Sequence, residues 1–77
     1  MKEIEKFIID KIEELTFTSV TIDDKLWTDK ILDSITIVEL AVALELQYGI
    51  KIDNSEITIE NFDSVSELVK FVTNKRN

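Results

Sequence analysis

The residues best placed to do chemistry are Asp33 and Ser34, which run directly into the apolar segment Ile35-Thr36-Ile37-Val38-Glu39-Leu40. A serine hydroxyl acts either as a nucleophile or as the point to which another enzyme attaches a group. As a nucleophile Ser34 would need a base, but the 77 residues contain no His and no Cys, no Lys stands at a motif spacing, and no glycine elbow surrounds the serine. Any chemistry at Ser34 is therefore done to it and not by it. Asp33 is a preferred N-cap residue, so Ser34 opens the helix that follows, where unpaired backbone N–H groups and the positive end of the helix dipole favour a phosphate. An isolated Asp-Ser pair is most simply a helix cap, and the rest of the chain has to decide between cap and attachment point.

Size and composition narrow the choice. A chain of 77 residues reads as one domain spanning 1–77, near the lower limit for an independent core, and its 44% hydrophobic and 32% charged composition is that of a folded protein. Without Cys or His there is no disulfide, no metal centre of the usual ligands and no ordinary general base, so the chain reads as a non-enzyme. A net charge of −7 points away from nucleic acid and anionic membrane surfaces and toward basic protein partners. No apolar run approaches a membrane span, and Met1-Lys2-Glu3-Ile4-Glu5 carries acid where a signal peptide does not, so the expected location is cytoplasmic.

The elements that must position Ser34 follow from periodicity. Ile4, Phe7, Ile8, Ile12 and Leu15 recur at three- and four-residue steps and predict an amphipathic helix over 2–15. The β-branched stretch Thr16 to Ile22 keeps a small α+β fold open as a rival, with Gly49 to Ile52 and Ile57 to Ile59 as possible partner strands. The preferred reading is a long ordered loop over 16–32, pinned by Val20, Ile22, Leu26, Trp27 and Ile31, with Asp23 and Asp24 capping a turn and Trp27 lying over the core. A second helix over 34–48 ends at Gly49, the only glycine. A short helical turn is expected near Thr58 to Asn61, and Ser64-Val65-Ser66-Glu67 reads as a capping box opening the last helix. The acids around Asp53 lack the ligand spacing of a calcium loop. The sum is an all-α, small four-helix bundle, three main helices and one short, with a long loop between the first two.

The second helix carries two apolar stripes. Ile37, Leu40, Ala41, Leu44 and Tyr48 form one; Ile35, Val38, Val42 and Leu46 form another, flanked by Glu39 and Glu45. Such a helix is either buried nearly all round or divides its faces between the core and a partner.

These residues carry a resemblance. Asp29-Lys30-Ile31-Leu32-Asp33-Ser34-Ile35, followed by Val38-Glu39-Leu40, Leu44-Glu45 and Tyr48-Gly49-Ile50-Lys51-Ile52, resembles the helix-two region of acyl carrier proteins and of peptidyl or aminoacyl carrier proteins. Ile59-Glu60-Asn61-Phe62-Asp63-Ser64-Val65 is similar to the segment before the last helix in carriers fed by adenylating ligases, D-alanyl carrier proteins among them. The resemblance implies a stand-alone, monomeric carrier in which Ser34 receives 4′-phosphopantetheine from coenzyme A and holds an acyl or aminoacyl cargo as a thioester. It implies that Asp33 contributes to recognition by the phosphopantetheinyl transferase, near its magnesium. It also implies that Ile35, Glu39, Val42, Glu45 and Leu46 dock partners with basic patches: the transferase, an adenylating ligase or acyltransferase, and downstream enzymes. Three departures stand out: Lys30 sits where related loops often have glycine, Thr36 and Leu46 where fatty-acid carriers commonly place acids, and Asp53 where proline is frequent. They favour a dedicated ligase-fed pathway. The alternative is an unmodified acidic helical interaction module, in which Ser34 is only a cap and the second stripe binds a partner helix or a second copy.

Overall fold

The computed structural model describes residues 2–76 of the chain. Four α-helices occur in the order α1 (Lys2–Thr16), α2 (Ser34–Tyr48), α3 (Ile59–Phe62) and α4 (Val65–Arg76), with a 3-10 turn at Asn54–Glu56. No strand forms among the described residues, so the all-helical expectation holds over the α+β rival. The 3-10 turn was not anticipated.

Of the five residues its periodicity selects, α1 buries Ile4, Ile8 and Ile12 and packs Phe7 and Leu15 half-buried against the core, and it places Glu3 and Glu5 at its N-terminal end, where the dipole favours acid. It stops when Phe17 takes a left-handed conformation at φ 59°, its N–H bonded to the Glu13 carbonyl at 2.8 Å. α2 buries Ile37, Leu40, Ala41 and Leu44, and ends at Gly49, whose φ of 64° suits a residue without a Cβ. The N-terminal half of α1 meets the C-terminal end of α2, where Phe7 packs edge-on against Tyr48 at 5.6 Å and the Arg76 guanidinium of α4 lies 5.2 Å from the Tyr48 ring.

α4 turns Val65, Leu68, Val69, Phe71 and Val72 into the core. Its capping box is half-formed: Ser64 Oγ accepts the Glu67 N–H at 3.1 Å, while the Glu67 carboxylate faces Lys70 Nζ at 3.7 Å. α3 is a single turn capped by Thr58, and it delivers Phe62 to the centre of the core, 5.8 Å from Phe71.

The connection over 17–33 is an ordered loop. Val20, Leu26 and Leu32 are buried, and Trp27 and Ile31 pack at the core margin. Ile22 departs from expectation, since its side chain is exposed and its carbonyl, which accepts the Ser66 N–H at 3.1 Å, supplies the anchor. The chief anchor is Asp63, at the α3–α4 junction. Its carbonyl accepts the Leu26 N–H at 2.6 Å, and its Oδ1 accepts the N–H groups of Trp27 and Thr28 at 3.0 and 2.9 Å. The loop thus delivers residues 29–33 to the start of α2 from a fixed base.

Candidate functional site

Asp33 is the N-cap of α2 and Ser34 its first helical residue. The Asp33 Oδ1 accepts the N–H groups of Ile35 at 3.0 Å and Thr36 at 2.8 Å. Thr36 completes a capping box with a hydroxyl in place of the usual Glu or Gln: its Oγ1 accepts the Asp33 N–H at 2.8 Å and donates to Asp33 Oδ1 at 3.0 Å. The Thr36 N–H, the Thr36 hydroxyl and the Ile35 N–H together hold the Asp33 carboxyl below the usual carboxylate range. The second oxygen, Oδ2, has no partner among the described residues.

Ser34 is exposed, and its hydroxyl has no hydrogen-bond partner among the described residues. This alters one expectation. The N–H groups of Ile35 and Thr36, anticipated as part of a phosphate cradle, are already occupied by Asp33. A group on Ser34 is left with the field of the helix end and open space, and is not gripped by the turn. Four residues earlier, Lys30 adopts φ 60°, a left-handed conformation that glycine would take without a Cβ penalty.

The second stripe of α2 faces solvent: Ile35 is 68% exposed, Val38 52%, Val42 46% and Leu46 81%. Four large apolar side chains along one helix face form a contiguous candidate contact surface. Glu39 is exposed beside them. Glu45 is half-buried, and its Oε2 accepts the backbone N–H of Ile52 at 2.7 Å. Sequence reasoning did not assign Thr36 to the Asp33 cap, Asp63 to the long loop or Glu45 to the Ile52 amide. The spacing Asp33 to Thr36, a cap followed three residues on by a hydroxyl, was the signal available for the first.

This arrangement matches a known family. The phosphopantetheine attachment site family covers residues 30–72, from the left-handed Lys30 through Ser34 and well into α4. The chain belongs to this family. A D-alanyl carrier protein of Streptococcus sanguinis is 34% identical over 77 residues, 97% of this chain and 98% of its own length. One from Streptococcus thermophilus is 31% identical over the same shares. An acyl carrier protein of Campylobacter hominis is 37% identical over 65 residues, 82% of this chain and 80% of its own. The protein is a carrier whose covalent 4′-phosphopantetheine supplies the thiol that a Cys-free chain lacks. The local structure fits such a group: an exposed, unpartnered serine hydroxyl is free to form a phosphodiester without displacing any contact of the fold.

Proposed function

We propose that Ser34 is the attachment residue and that this carrier presents an acyl or aminoacyl thioester to enzymes that dock on the exposed face of α2. The observation that carries the reading is the exposed, unpartnered hydroxyl of Ser34 beside a capping Asp33 whose Oδ2 stays open. In the modification, Ser34 Oγ forms a bond to the pantetheine-side phosphorus of coenzyme A. The pyrophosphate link breaks, adenosine 3′,5′-bisphosphate leaves, and the serine proton passes to a base of the transferase. That base is assigned to the transferase, since the chain has no His beside the serine. Asp33 Oδ2 is available to a cation at the transferase, which supports its role in recognition.

Docking is assigned to Ile35, Glu39, Val42 and Leu46; Glu45, also expected there, has its Oε2 engaged by the Ile52 N–H. Exposure of the apolar stripe supports this, as does an acidic surface that attracts basic partners. The two streptococcal relatives described above are named D-alanyl carrier proteins, which favours an aminoacyl cargo loaded by an adenylating ligase. The carrier works as a cytoplasmic monomer. No described helix is long and apolar enough to cross a membrane.

The test is an intact-mass measurement after incubation with coenzyme A, magnesium and a broad-specificity phosphopantetheinyl transferase. Wild type should gain one pantetheinyl group and Ser34→Ala none. An unmodified wild type would return the chain to the alternative of a helical interaction module.

A further inference from the structure

α2 contains two acids, Glu39 and Glu45, and the structure treats them differently. Glu39 is exposed and takes no hydrogen bond or ion pair among the described residues. Glu45 is committed at both ends. Its backbone carbonyl accepts the Gly49 N–H at 2.9 Å, ending the helix, and its Oε2 accepts the N–H of Ile52, seven residues on, at 2.7 Å. Ile52 is buried, so its N–H would be costly to leave without an acceptor. The next amide, that of Asp53, goes to Glu56 Oε1 at 2.9 Å, and the Glu56 carboxylate is in turn held by Lys75 of α4 at 2.9 and 3.0 Å. Two consecutive amides received by two carboxylates fix the extended link between α2 and the 3-10 turn.

With Glu45 so engaged, the outward face of α2 carries one charge. Thr36 is spent on the Asp33 cap, and Leu46 is an exposed hydrophobe. We infer, resting on the reading of α2 as the docking face, that Glu45 is a positioning residue and not a docking contact. The partner enzyme then meets α2 with an apolar surface bearing a single basic side chain opposite Glu39. The net charge of −7 acts at longer range, drawing basic partners into encounter, while the contact itself is apolar.

The experiment compares Glu39→Gln, Glu45→Gln and Glu45→Ala in the transferase reaction at low and high salt, with amide hydrogen exchange of Ile52 read in parallel. Glu39→Gln should raise the KM for the carrier roughly three- to tenfold at low salt, and the difference should close at high salt, as for one screened charge pair. Glu45→Gln keeps an oxygen acceptor, so KM should stay within about twofold of wild type at both salts and Ile52 should remain protected. Glu45→Ala should speed Ile52 exchange by about tenfold or more and raise KM equally at both salts. The inference is overturned if Glu45→Gln reproduces the salt-sensitive loss of Glu39→Gln, or if Glu45→Ala leaves Ile52 exchange unchanged. Exchange needs no modified serine. A wild type that gains no pantetheinyl mass would therefore sink the docking half of the inference, while exchange still decides the role of Glu45.

Discussion

Asp63 holds Thr28 with both carboxylate oxygens: Oδ1 accepts the Thr28 N–H at 2.9 Å and Oδ2 accepts its hydroxyl at 2.8 Å, across 35 residues of sequence. With the Trp27 N–H also on Oδ1, this is the principal fastening of the long loop. Asp63→Ala removes three charge-assisted bonds and leaves two loop amides to water, so it should destabilise the fold by roughly 2 kcal/mol. Thr28→Ala removes one of the three and should cost about 1 kcal/mol. Urea denaturation of the two variants and their double should show coupling, because both changes break the same contact. Strict additivity would mean that the clamp contributes nothing as a pair.

Cap and recognition at Asp33 can be separated by choice of replacement. Ser is a good N-cap without a charge, whereas Ala is not a cap. Asp33→Ala should lower the melting temperature and slow modification of Ser34, while Asp33→Ser should largely keep the melting temperature and still slow modification. Thermal melts and an intact-mass time course check this. Unimpaired modification of Asp33→Ser would confine Asp33 to capping.

Among the described residues, two that are not glycine sit in the left-handed region, Phe17 at φ 59° and Lys30 at φ 60°. That conformation costs an L-residue about 1–2 kcal/mol, and glycine recovers it at an entropic cost of about 0.5–1 kcal/mol. Phe17 is 92% exposed and Lys30 is also exposed, so little packing is lost on truncation. Phe17→Gly and Lys30→Gly should each raise stability by up to about 1 kcal/mol. A fall in the urea midpoint for either would show that its side chain makes a compensating contact.

Acid should weaken the fold through three carboxylates. Hydrogen bonds from Thr36 hold Asp33 low, and the Asp53 amide followed by Lys75 hold Glu56 low. Burial pushes Asp63 up, but the bonds from Thr28 and Trp27 and the nearby Lys25 charge outweigh it and leave it below the usual range. A folded pKa below the unfolded value means stability that is complete above the ordinary carboxylate range and is lost as pH falls through the folded values. Melting temperature should hold from neutrality to about pH 5 and fall between about pH 4 and pH 2. Asp63→Asn, already weakened, should show a shallower acid fall. An equal slope would remove Asp63 from the acid response.

Much of this was legible because it is local. α2 runs from Ser34 to Tyr48 as its cap and its glycine predict, and α1 and α4 bury the apolar residues that a 3.6-residue period selects. What escaped is set by distant or conformational partners. Nothing near Asp63 in sequence announces Thr28, and nothing near Glu45 announces that a loop amide will need its carboxylate. Phe17 and Lys30 hide their backbone conformation because neither is the glycine or asparagine that advertises it. Ile22 does pin the loop, but through its carbonyl and not through the apolar side chain on which that expectation rests.

The capping of α2 by Asp33 has a further consequence. Because the Ile35 and Thr36 amides of the helix are satisfied by Asp33 of the chain itself, the fold does not depend on a group at Ser34 to pair them. By linkage, a group that gains no contact on folding shifts the folding equilibrium little, so the empty, primed and loaded carrier should be isoenergetic in their fold. On the proposed attachment at Ser34, the scaffold presented to a partner is then the same in every state of the carrier, and the difference between states lies in the arm and its cargo.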